Sequence, residues 1–352
     1  MKNNVLITAT IILVGLIISR GEEAILYSKD ALYICTDMII PSLFPFFICS
    51  GILIYSGFCE KISKIFAPVM KPLFNINPNG SSAFVLGMIS GYPLGAVTAC
   101  QLYESGYISK SETERLLAFC NNSGPLFILG SVGIGLYMGL NIGIILYTAH
   151  LLGAILVGIC MKNHHSSEHS APDYTLSTKN TSFAEIFHQS TTNAVNSMLL
   201  VCGTIVFFSV ASRLFLGIIP FELPAWVYGL FEFSSGNVFI SAAAIPLPAK
   251  LVTASIITGF AGISVHMQVM AVTAKHHLCI KPYFFGKILH GLFSGAITVL
   301  IIKFTNIVPA FRQTSGMGAP AFVLASAYFV ICVSAICILL GIYSKISKKQ
   351  EV

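Results

Sequence analysis

Two short runs set the strongest limit on how this chain folds. Residues 90–96 (Ser-Gly-Tyr-Pro-Leu-Gly-Ala) and 121–127 (Asn-Asn-Ser-Gly-Pro-Leu-Phe) are polar and helix-breaking, yet both lie in strongly apolar surroundings. Glycine frees the backbone and proline withholds an amide donor, so neither run continues a regular helix. Hydrocarbon offers a broken backbone no hydrogen-bond partner. Breaks at membrane depth are tolerated only where protein or a water-filled cavity satisfies them. Both runs must therefore face inward, and the rest of the chain must fold around them.

The apolar setting is set by composition. Hydrophobic residues make up 55% of the 352 residues and charged residues 10%, well under the roughly 25% charged of a typical soluble domain. A spanning helix needs roughly 20 apolar residues. Plain candidates are 5–19, 36–57, 141–161, 193–215, 282–303 and 319–343. The net charge of +6 is read as topology rather than as affinity for nucleic acid. With the N-terminus inside, fourteen Lys and Arg fall in inner segments, Lys287 among them, and six in outer ones. Both termini are then cytoplasmic. The ten cysteines are scattered through apolar segments without a C-x-x-C pair, and read as small buried hydrophobes. His164, His165 and His169 lie in the polar loop with no second ligand set nearby, so neither a metal nor a cofactor is expected.

An internal repeat is visible as spacing. Ser123 and Ser264 are 141 residues apart, as are Gly95 and Gly236, and His150 and His290 are 140 apart. Each half reads as a plain helix, a hairpin interrupted near 90–96 or 232–237, a helix broken at 121–125 or 259–264, and a closing helix. If the hairpins re-enter rather than cross, the two halves are inverted and the chain crosses about eight times. The expected fold is thus an all-α polytopic membrane protein: an inverted repeat with two re-entrant hairpins and two broken helices. The expected divisions are 1–30 (first helix and outer loop), 31–161 (first repeat), 162–182 (polar cytoplasmic loop), 183–303 (second repeat) and 304–352 (last helix and basic tail). Segments 59–74 and 222–231 are expected as amphipathic helices at opposite interfaces.

Local chemistry supports the breaks. Ser111-Glu112-Thr113-Glu114 reads as a capping box, and Pro125 suits the first turn of a new helix. Asn121, Asn122, Ser123 and Gly124 then fill the gap between two half-helices. A half-helix N-terminus carries about half a positive charge and favours an anion. Ser90, Tyr92 and Gly95 form the first hairpin tip. Ser234, Ser235 and Asn237 form the second, together with Glu232, an ionisable residue in an apolar run and so a candidate for ion coupling. Ser264, His266 and Gln268 are expected to complete a substrate site from the second break. His150 and His290 read more readily as interhelical hydrogen-bonding groups than as a proton relay.

The runs Pro-Ser-Leu-Phe-Pro-Phe-Phe (41–47), 90–96, Phe-Cys-Asn-Asn-Ser-Gly-Pro-Leu-Phe-Ile (119–128) and Gly-Leu-Phe-Glu-Phe-Ser-Ser-Gly (229–236) resemble the YlbJ-type sporulation integral membrane proteins. That family falls in the nucleoside-recognition or gate domain group, and the resemblance covers about residues 30–345. It implies an endospore-forming bacterium and a role in moving dipicolinic acid from the mother cell across the outer forespore membrane. It also implies a fold akin to concentrative nucleoside transporters. The expectation is a multi-pass transporter in the bacterial cell membrane with a small anionic substrate, the lipid bilayer as surroundings, and a homo-oligomeric state left open. A nucleoside or other metabolite as cargo, and a non-transport sporulation scaffold, are the alternatives. No His-Glu-x-x-His, G-x-S-x-G or phosphate loop is present to support an enzyme.

Overall fold

The structure is a computed structural model and describes residues 2–163 and 182–304. The expected span 319–343, the basic tail and the three loop histidines lie outside the described residues. Among the described residues every regular element is helical, and five helices are long and apolar enough to cross a membrane: Gly21–Tyr55, Leu140–Cys160, Phe183–Leu216, Leu247–His276 and Lys281–Phe304.

The first of these is longer than the sequence implied. Helix α1 (Lys2–Ser19) ends at Arg20, whose backbone leaves the helical region, and α2 (Gly21–Ile34) starts at once. Residues expected as an outer loop are therefore helix. Glu22 and Glu23 in the first turn of α2 complement its N-terminal dipole. A π-helical turn, Cys35–Ile39, joins α2 to α3 (Ile40–Tyr55). Pro41 at the start of α3 has no amide for the regular ladder, and a π turn absorbs such a mismatch without ending the rod.

The first hairpin follows α4 (Phe58–Val69). Its arms are α5 (Ser81–Ser90) and α6 (Leu94–Glu104), turning through residues 91–93. Next comes α7 (Lys110–Cys120), an extended gap at 121–124, and a π-helical segment Leu126–Leu136 capped by Pro125. Helix α8 (Leu140–Cys160) closes this half. The start of α7 corrects the expected cap. Ser109, not Ser111, is the N-cap: its hydroxyl accepts from the Glu112 amide (3.2 Å), and Glu112 accepts from the Ser109 amide (2.9 Å). Glu114 instead accepts from the backbone amide of Cys279, far along the chain.

The second half repeats the order. Helix α9 (Phe183–Leu216), opened by a Ser182–Glu185 capping box, takes the place of α3. Helices α10 (Ala225–Phe231) and α11 (Phe233–Ala242) form a hairpin interrupted by Glu232 alone. Helices α12 (Leu247–Phe260) and α13 (Gly262–Thr273) form the broken helix, and α14 (Lys281–Phe304) closes. Residues 225–231 are thus an arm of this hairpin, packed on α11.

The halves share one core. Helix α14 packs on α12 in its own half and on α7 and α8 of the other, while α3 packs along α9. Helix association in lipid relies on close van der Waals contact rather than on expelling water, so small residues gather at such seams. A methyl added to Gly286 of α14 would stand 2.7 Å from the Ala118 carbonyl oxygen of α7, and one on Gly153 of α8 would stand 2.6 Å from the Ser294 hydroxyl of α14.

Candidate functional site

In each half the hairpin tip touches the break of the same half. Gly91 has a left-handed φ of +86°, and a Cβ there would lie 3.0 Å from the Gly124 amide nitrogen. Gly262, at φ +73°, approaches the Phe233 amide nitrogen at 3.1 Å from its own hypothetical Cβ. Only glycine reaches both the backbone conformation and the approach at little cost. The hairpin arms close the same way. Gly95 faces Gly87, and Gly236 faces Gly229.

Tips and breaks then converge on one cavity. Its lining includes Tyr92 from the first tip, Ser123, Gly124 and Phe127 from the first break, Phe233 from the second tip, and Val265 and Gln268 after the second break. Ile39, Leu43, Val201 and Ile205 complete it from the α3 and α9 rods. The free volume of about 20 Å³ has room for a water and little more. The tips seal it with aromatic edges: the rings of Tyr92 and Phe233 are 5.6 Å apart, and those of Phe127 and Phe233 are 5.3 Å apart.

The surrounding polar residues divide into two groups. Some serve the broken backbone. Asn122 donates to the Phe119 carbonyl at 2.6 Å, Asn237 donates to the Phe233 carbonyl at 2.8 Å, and the Ser90 hydroxyl bonds that of Ser50. Gly95 is also of this kind, pressed against the Cys120 carbonyl. Others hold spare capacity. Ser264 Oγ, His266 Nε2 and Gln268 Oε1 are buried without a hydrogen-bond partner among the described residues, as are the side-chain oxygens of Asn122 and Asn237. Gln268 donates to Thr204 Oγ1 at 2.7 Å and keeps its oxygen free at the cavity wall. His266 Nδ1 meets the Tyr283 hydroxyl at 2.9 Å. Ser235 contacts Ser209 at 3.4 Å.

Glu232 is fully buried, and its carboxylate is already engaged. Oε1 accepts from the Ser234 amide at 3.0 Å and Oε2 from the Ser235 amide at 2.6 Å. It caps the N-terminus of α11, where a negative charge offsets the helix dipole.

Lys287 is the group the sequence reading misplaced. Assigned there to an inner segment, it is instead fully buried. Its ammonium donates to the Asn121 carbonyl (3.1 Å) and to His290 Nδ1 (3.1 Å), and sits 5.3 Å from the Tyr92 ring centroid. His290 Nε2 donates to the His150 carbonyl at 2.8 Å, while the Ser123 amide donates to His150 Nε2 at 3.1 Å. The paired histidines therefore bridge α8 and α14 as structural hydrogen-bonding groups and connect Lys287 to the cavity-lining Ser123. No carboxylate pairs with Lys287 among the described residues. The available sequence signal was the Lys287–His290 spacing on the glycine-rich face of α14, between Gly286 and Gly291.

The family model described as "Gate: Nucleoside recognition" matches residues 37–140, from the π turn before α3 through the first hairpin and first break to the start of α8. The sporulation integral membrane protein YlbJ of Bacillus subtilis (strain 168) is 30% identical over 342 residues, covering 86% of this chain and 84% of that protein. No solved structure matches. With this identity over most of both chains, the protein belongs to the family of the sporulation integral membrane protein YlbJ.

Proposed function

We propose that the protein is a membrane transporter for a small anionic metabolite, and that its cargo is dipicolinic acid, moved out of the mother cell across the outer forespore membrane during sporulation. The observation that carries this reading is the meeting of both hairpin tips and both helix breaks at one cavity. Interrupted helices from two halves enclosing a midplane site are the architecture of alternating-access carriers. On this reading the two halves are inverted repeats, the chain crosses about eight times, and both termini are cytoplasmic.

An anionic cargo fits the charge of the site. Lys287 is a buried basic group without a carboxylate partner among the described residues, and a positive charge on it would act at longer range in a low-dielectric interior than in water. Spare hydrogen-bonding groups at Ser264 and Gln268 suit carboxylate and ring-nitrogen chemistry. The cavity is too small for a dicarboxylate as it stands, so loading requires tips and breaks to part.

The test is uptake into proteoliposomes. Saturable dipicolinate flux above protein-free vesicles is the expected result, and its absence with verified folded protein would remove the assignment. A second reading, a nucleoside as cargo, is favoured by the match to a nucleoside-recognition model. Unlabelled nucleoside that competes out the dipicolinate signal would favour it. A membrane scaffold without transport predicts instead that replacing Asn122, Ser123 and Glu232 together leaves sporulation intact.

A further inference from the structure

A second, larger cavity of about 210 Å³ lies between α3, α6 and α9. Its polar lining is hydroxyl and amide throughout: Tyr55, Gln101, Ser190, Asn193, Asn196 and Ser197. It continues along the same seam as the inner cavity. On α3, Phe47 lines this cleft and Leu43 lines the inner cavity; on α9 the pair is Ser197 and Val201; on the first hairpin it is Leu94 and Tyr92. Four residues of helix separate each rod's two lining positions, or about 6 Å. Phe47, the innermost α3 residue of this cleft, is 3% exposed, and Met198, next to Ser197 on α9, is 6% exposed.

We propose that this cleft is the water-filled mouth of the substrate path, opening at the face where α3 ends and α9 begins, and that Phe47 and Met198 form the closed gate between mouth and inner cavity. The inference rests on the transporter reading and gives it a route. Gln101, Asn193 and Asn196 are exposed within or beside apolar spans. Amides facing hydrocarbon are costly, and a hydrated cleft removes that cost. Asn193 donates to the Tyr55 hydroxyl at 2.8 Å, linking the two walls. Ser190 Oγ is fully buried without a partner among the described residues. A mouth of this kind admits a hydrated polar solute and offers it neutral hydrogen-bonding groups that do not trap it.

Cysteine accessibility tests the proposal without needing the cargo. Ser197→Cys and Val201→Cys variants of the full chain are placed in oriented vesicles and treated with a charged, membrane-impermeant thiol reagent. Peptide-resolved mass spectrometry separates the new site from the native cysteines. Ser197→Cys should react from one side only and at least tenfold faster than Val201→Cys, one turn further in. Adding Phe47→Ala should raise the Val201→Cys rate tenfold or more. Equal rates at the two positions, labelling from both sides, or an inert Ser197→Cys sealed by lipid or a second copy would overturn the mouth. An unchanged Val201→Cys rate in a folded Phe47→Ala protein would overturn the gate. Failure of the same preparations to carry dipicolinate would remove the cargo and leave the labelling result standing.

Discussion

Two buried ionisable groups, one acidic and one basic, do related work. Glu232 sits at the N-terminus of α11, and Lys287 at the Asn121 carbonyl just past the C-terminus of α7. Each is the sign that complements its helix end. Glu232 stood out in the sequence as an acid within an apolar run, but neither its burial nor its capping role was legible there. Each of its oxygens accepts one backbone amide and keeps a further lone pair. Glu232→Ala leaves both amides unpaired in the interior, at about 1–3 kcal/mol for each buried unsatisfied group. The expected outcome is a clear fall in unfolding midpoint, read by denaturant titration in detergent, with Glu232→Gln losing less. Lys287 escaped notice because a lysine near a helix start resembles a topology charge, as Lys281 does. It lies six residues deeper, about 9 Å at helical rise, and there it faces the core. Lys287→Met should lower dipicolinate flux at least tenfold while the protein remains in the membrane. Undiminished flux would show that the cation serves only the α7 end.

At the scale of elements, the 141-residue register of Gly95 and Gly236 reflects a shared packing contact. Each glycine lets the second arm of its hairpin press on a glycine of the first. A Cβ at Gly236 would stand 2.2 Å from the Gly229 Cα, and one at Gly95 would stand 3.1 Å from the Gly87 Cα. Backbone atoms cannot yield as a flexible side chain can, so Gly236→Val is expected to destabilise by about 1–3 kcal/mol or more, and Gly203→Val, with open space around it, to be nearly neutral. Comparing the two unfolding midpoints checks this. The breaks themselves were less evenly legible. The first spans residues 121–124, as its polar composition implied. The second shrinks to Ala261 with φ 76° between α12 and α13, where 259–264 was expected to open. The difference is physical: two left-handed residues in a row, Ala261 and Gly262, interrupt a helix as fully as an extended run does, and an alanine in the first of those places leaves no mark in the sequence. The first rod was blurred for another reason: the expected span began at 36, whereas a π turn before Pro41 carries α2 straight on into α3.

At the scale of the whole molecule, the shared core limits which parts can move. Helix α14 is packed into α7, α8 and α12 together, and the Lys287–His290–His150 chain fixes it to the first break. The contacts across the cavity are fewer: an aromatic meeting of Tyr92 with Phe233 and of Phe127 with Phe233, each worth about 0.5–1.5 kcal/mol beyond its area, and a hydrogen bond from the Tyr92 hydroxyl to the Thr258 carbonyl at 3.1 Å. If transport requires the two tips to separate while α14 stays docked, linking the tips must stop it. A Tyr92→Cys, Phe233→Cys double variant joined by a short bifunctional thiol reagent should lose at least tenfold of its dipicolinate flux, and a cleavable linker should restore it on reduction. The unlinked double variant sets the baseline, which separates loss of the rings from loss of the motion. Flux that persists at that baseline with the cross-link verified by mass spectrometry would mean that the cargo passes without the tips parting, and that the moving boundary lies elsewhere in the bundle.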